Sequence, residues 1–160
     1  MDKAEYQSRL EELNSLVKKE DYEGALAVVE AVDWRRVKSL RTLGMVADVY
    51  EANKRYPEAK KILLMAYDRS SIGKGILYRL VEVSVKMKDF DEAIDFYNEF
   101  EAVARHDNSR YLLKYKILRA AVSGKTRKQF CRYRLALVRR KTDERDNQSI
   151  IKRRRSRQTN

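Results

Sequence analysis

Few side chains in this 160-residue chain are of a type that does chemistry, and their surroundings decide what each could do. The single histidine, His106, stands in the polar run His106-Asp107-Asn108-Ser109 with no nucleophile set against it, so it reads as a turn residue rather than a general base. The single cysteine, Cys131, lies among Lys128, Arg132 and Arg134, whose charges would lower a thiol pKa, but an inert, semi-exposed thiol is the simpler reading. One Cys and one His cannot close a four-ligand zinc site, so no metal is expected. Gly73-Lys74-Gly75 lacks the spacing of a phosphate loop or a dinucleotide fingerprint. Ser123-Gly124-Lys125-Thr126 resembles the end of a phosphate loop, yet no glycine precedes it at the required distance and no strand leads into it. Carboxylate pairs such as Glu11 and Glu12 are ordinary on charged helix surfaces, and nothing sets one pair apart for acid–base work. Trp34 reads as a core or capping residue rather than a ring for stacking a ligand. No catalytic residue and no cofactor is expected, and the chain does not read as an enzyme.

The elements that carry these residues follow from charge and periodicity. Hydrophobic residues make up 43% and charged residues 38% of the chain, a mixture that suits amphipathic helices. A lone cysteine excludes a disulfide framework within the chain and points to a reducing, cytoplasmic setting. Neither a secretory leader nor a run of roughly 18 apolar residues, as a membrane span needs, is visible. Residues 1–122 hold 22 Lys+Arg against 21 Asp+Glu, whereas residues 123–160 hold 14 against three. The excess of basic charge is therefore a property of the last 38 residues.

A spacing of 34 residues organises the body. Asp21-Tyr22-Glu23-Gly24-Ala25, Arg55-Tyr56-Pro57-Glu58-Ala59 and Asp89-Phe90-Asp91-Glu92-Ala93 align without gaps, aromatic on aromatic and alanine on alanine. Apolar residues recur at three and four on either side of each core, as in Leu77, Leu80, Val81 and Val85, which is the spacing of one helix face. Each unit is thus a helix, a short turn and a second helix. The pattern predicts helices over 3–18, 22–32, 37–54, 57–69, 74–88, 91–105 and 109–121, with Asp21 and Asp89 as N-caps and Pro57 in a first turn. Counting 34 onward from Phe90 and Ala93 reaches Gly124 and Arg127, where the period fails. Tyr111, Leu112, Tyr115 and Leu118 then lack a partner helix, and either the segment after Thr126 or another chain would have to cover them, or they would remain an adhesive patch.

A 34-residue helical pair with an aromatic ahead of a small residue in its second helix resembles the tetratricopeptide repeat. The resemblance covers roughly residues 6–122, with repeats near 6–39, 40–73 and 74–107 and a half repeat at 108–122. It implies an all-α, right-handed α–α superhelix whose first repeat, with Arg9 and Glu12 at family apolar positions, acts as a cap. It also implies a groove lined by the first helix of each repeat. The groove candidates are Gln7, Leu10, Asn14, Arg41, Asp48, Glu51, Tyr78, Glu82, Leu112 and Lys116. The carboxylate-clamp form of the family is not matched, because Leu10, Gly44 and Tyr78 stand where its first lysine belongs.

Two functions stay open on this reading. One is a protein-interaction adaptor that binds a peptide or partner helix in the groove, with self-association through the incomplete fourth repeat as a further expectation. The other is nucleic-acid or anionic-surface binding by the segment 123–160, read as a basic helix followed by a disordered run. Its candidate residues are Lys125, Arg127, Lys128, Arg132, Arg134, Arg139, Arg140 and Lys141. The abrupt loss of register also fits a truncated or frame-shifted terminus.

Overall fold

The computed structural model describes residues 3–70 and 73–124, and every regular element among them is helical. In chain order these are α1 (Lys3–Lys18), α2 (Tyr22–Glu30), a 3-10 turn (Trp34–Arg36), α3 (Leu40–Ala52), α4 (Tyr56–Asp68), α5 (Lys74–Lys86), α6 (Phe90–Val103) and α7 (Ser109–Gly124). Each α-helix packs against the next in the chain, and α7 also reaches back to α5. No helix among the described residues is long and apolar enough to cross a membrane.

Local chemistry sets the helix starts. The Asp21 carboxylate accepts from the Gly24 N–H at 3.0 Å and Asp89 from the Glu92 N–H at 3.3 Å, satisfying amides that have no partner inside α2 and α6. Pro57 sits in the first turn of α4, where its missing N–H removes no helix bond. The expected helix over 37–54 starts later, at Leu40. Asp33 caps the short 3-10 turn and Ser39 caps α3, leaving Val37 extended between two competing caps. Trp34 anchors that connection: its ring is buried, and its indole N–H donates to the Val29 carbonyl at 2.7 Å.

The first three helix pairs share one turn. Glu20, Lys54 and Lys88, spaced 34 residues apart, hold φ of 60°, 59° and 63°. In each case the following N–H reaches five residues back, from Asp21 to Leu16 at 3.0 Å, from Arg55 to Tyr50 at 2.8 Å and from Asp89 to Ser84 at 3.0 Å. A second bond runs from the left-handed residue itself to Val17, Glu51 or Val85. This is the double-bonded helix end that hands one helix over to the next. The same register would put a fourth such turn at Val122, but a β-branched residue pays heavily for that conformation. α7 instead continues to Gly124, past the expected end at residue 121.

The core forms one continuous cluster. Ala25, Ala59 and Ala93 are all fully buried, so a larger side chain at any of them would overpack a helix contact. Along α1 only Leu13 is fully enclosed, while Arg9 and Glu12 pair with each other at 3.3 Å on the outside. α7 buries Leu113, Ile117 and Ala121 completely; Tyr111, Leu112 and Tyr115 are exposed and Leu118 is half-buried.

Candidate partner-binding surface on the first helices

Side chains of α3, α5 and α7 meet in a chain of ionic contacts. Arg79, on α5, donates to the Gly44 carbonyl at 3.1 Å, to Asp48 at 2.6 Å and to Glu51 at 2.7 Å, so that one guanidinium spans two turns of α3. This reach does not depend on glycine at position 44, since a Cβ there would meet the Arg79 Nη1 atom only at an ordinary 3.7 Å. Lys86 joins the other oxygen of Glu51 at 2.8 Å. From α7, Lys116 pairs with Glu82, donates to the Tyr78 hydroxyl at 3.3 Å and lies over the Tyr78 ring. Tyr78 in turn packs edge-on against Phe100 of α6, with ring centres 6.0 Å apart.

These groups differ in how firmly they are held. The Arg79 and Glu51 side chains keep only 25% and 16% of their surface exposed, whereas Asp48 keeps 57%. Burial by the surrounding protein is the main influence on Asp48 and raises its pKa despite that exposure; Arg79 opposes the rise and Glu51 adds to it. The bond to Glu82 holds the Lys116 ammonium above its ordinary pKa, with partial burial working against it. Between α5 and α7 the same surface dips into an open depression of about 380 Å³. Val81, Val85, Leu113 and Ala120 supply its apolar part, and Glu82, Lys86, Lys116 and Arg119 its charges.

Of the groove candidates, Asp48, Glu51, Tyr78, Glu82 and Lys116 belong to these contacts. Leu112 stands exposed near the start of α7, and Arg41 is exposed near the start of α3. Gln7 is exposed and Leu10 half-buried, while Asn14 donates back to the Leu10 carbonyl at 2.7 Å within α1. None of these three touches the charged network among the described residues. Arg79, Lys86 and Arg119 were not among the candidates. A usable signal exists for Lys86, because opposite charges about one period apart, such as Glu51 with Lys86 and Glu82 with Lys116, are brought together across neighbouring first helices, whereas Arg79 lies 31 and 28 residues from Asp48 and Glu51 and is off that spacing.

His106 is exposed on the turn before α7 and borders a second depression with Lys74, Arg105 and Asp107, but no nucleophile stands in it. No group of three or more His, Cys, Asp or Glu side chains able to hold a metal occurs among the described residues. Cys131 and the eight basic candidates between 125 and 141 lie outside the described residues. A scan against family models and a search of the curated proteins find no match to this chain.

Proposed function

We propose that this chain is a non-enzymatic protein-interaction module of the tetratricopeptide type. On this reading its helical pairs stack into a right-handed superhelix, with α1, α3, α5 and α7 side by side along a groove that receives a peptide or partner helix in the cytoplasm. The identical left-handed turns at Glu20, Lys54 and Lys88 and the buried alanines at the same 34-residue spacing support the family assignment. The observation that carries the function is the depression between α5 and α7, where an apolar floor lies inside a charged rim. Burying apolar partner atoms there gains roughly 25 cal/mol per Å². The Lys116–Glu82 pair on the rim is partly exposed, so exchanging it for partner groups costs little.

The test is capture of partners from cell extract by the full chain, compared with Val85→Ser combined with Arg119→Glu. Loss of specific partners from the variant, with its melting unchanged, is the expected result. Retention of every partner would remove this surface from the proposal.

A second reading rests on one observation, the net charge of +11 carried by residues 123–160, and assigns that segment to binding of polyanions.

A further inference from the structure

A different face of α7 is apolar and exposed. Tyr111, Leu112, Tyr115 and Val122 are 55%, 49%, 59% and 56% exposed and, with the half-buried Leu118, run along one side of the helix. Thirty-four residues earlier, the positions matching Tyr111 and Tyr115 are Leu77 and Val81, which are 1% and 0% exposed. Those two residues belong to α5, whose chain neighbour α6 packs against it; no described helix stands in the corresponding place beside α7.

Charge indicates what would fit. α7 carries Arg110, Lys114, Lys116 and Arg119 and no acidic residue. A second copy of α7 would set like charge against like, since Arg110, whose guanidinium lies over the Tyr111 ring, and the exposed Arg119 both border this face, whereas Lys116 is turned toward Glu82. Residues 125–142 hold eight basic residues and no acid, so the chain's own continuation is mismatched as well. The helix that packs on α5 is of the opposite kind: α6 carries Asp91, Glu92, Asp95, Glu99 and Glu101 and no basic residue, behind an apolar face of Phe90, Ile94, Tyr97 and Phe100. We propose that the outer face of α7 docks an acidic amphipathic helix of a partner protein, with aromatic and aliphatic side chains against Tyr111, Leu112 and Tyr115 and carboxylates toward Arg119. This surface meets the depression between α5 and α7 only at Arg119, which borders both, and its apolar part does not depend on that depression.

The probe is a labelled peptide copying residues 89–104, titrated into the full-length protein. Saturable binding that weakens as salt rises is expected, because part of the attraction is ionic. Tyr111→Ser with Tyr115→Ser should lower affinity at least tenfold, as truncated aromatic anchors do. Arg119→Glu should lower it several-fold, and Val85→Ser should leave it unchanged. All four positions are at least partly exposed, and unchanged melting of each variant excludes unfolding as the cause. A peptide with its six acids replaced by lysine should not bind. Equal binding of that peptide, or no binding of the acidic one, overturns the proposal. So does binding that emerges only after Phe130→Ser, Tyr133→Ser and Leu137→Ser in the full chain, since the chain's own segment then occupies the face. A dimer in sedimentation that Tyr115→Ser disperses assigns the face to a second copy and overturns it equally.

Discussion

Glu20, Lys54 and Lys88 take a backbone conformation that costs a non-glycine residue roughly 1–2 kcal/mol, and each is exposed with its side chain in solvent. Glycine would remove that strain while adding roughly 0.5–1 kcal/mol of unfolded-state entropy. The strain is the larger of the two, so Lys54→Gly should stabilise the protein by about 0.5–1 kcal/mol, and Lys54→Val should destabilise it. Urea midpoints measure both, and a lower midpoint for the glycine variant would contradict the account. Asp107 sets a pH dependence. Its carboxylate pairs with Lys74 and accepts from the Ser109 backbone N–H at 2.9 Å, and these bonds, the Lys74 bond first, hold its pKa well below the ordinary range. A lowered carboxylate pKa gives stability that is complete above the unfolded value of about 3.9 and is lost as pH falls below it. Acid titration of unfolding should therefore show a shallower loss below about pH 4 for Asp107→Asn than for the native chain, with the two curves parallel between pH 5 and 7.

Between elements, Arg79 is the residue whose loss separates two explanations of how α3 meets α5. It is three-quarters buried, and it holds the Gly44 carbonyl together with two carboxylates. Removing it leaves Glu51 enclosed with Lys86 as its only remaining ionic partner among the described residues. Arg79→Ala should cost about 1–2 kcal/mol, in line with charged hydrogen bonds that are partly screened. Lys86→Ala, at a side chain 44% exposed, should cost no more than about 0.5 kcal/mol. Equal effects in denaturant titrations would mean that apolar packing alone joins the helices. The helices themselves were legible from the sequence because caps, periodicity and the aromatic–alanine spacing act within a few residues. The late start of α3 was not, since it depends on the Trp34 indole finding the Val29 carbonyl. The run of α7 past residue 121 was readable in principle, because Val122 occupies the place of a left-handed turn.

At the scale of the molecule, charge is divided between a nearly balanced body and a basic end, and this division makes its own prediction. If residues 123–160 bind polyanions through about four to six phosphate contacts, log affinity should fall against log salt with a slope of roughly −3 to −5. Little preference among sequences is expected, because such contacts read backbone charge. Filter binding to RNA and duplex DNA across a salt series measures the slope. Absence of binding by the full-length chain at low salt would leave the basic end without this role. The acidic-helix surface on α7 and the polyanion reading call on the same sign of charge, so competition between the acidic peptide and RNA tests whether they share residues.

The sequence by itself determined that the described residues are helical, where the first three helix pairs turn, and that the alanines spaced by 34 residues are buried. These properties arise from short-range bonds and from a hydrophobic period repeated in register, both written in neighbouring residues. The tertiary structure alone decided that Arg79 bridges α3 and α5, and that α7 buries Leu113, Ile117 and Ala121 while turning Tyr111 and Tyr115 outward. Leucine side chains occur on both sides of α7, Leu113 inside and Leu112 outside, so its composition cannot choose a face. That choice belongs to α5 and α6, which approach from one side only, and no sequence period records the direction from which a neighbouring helix arrives.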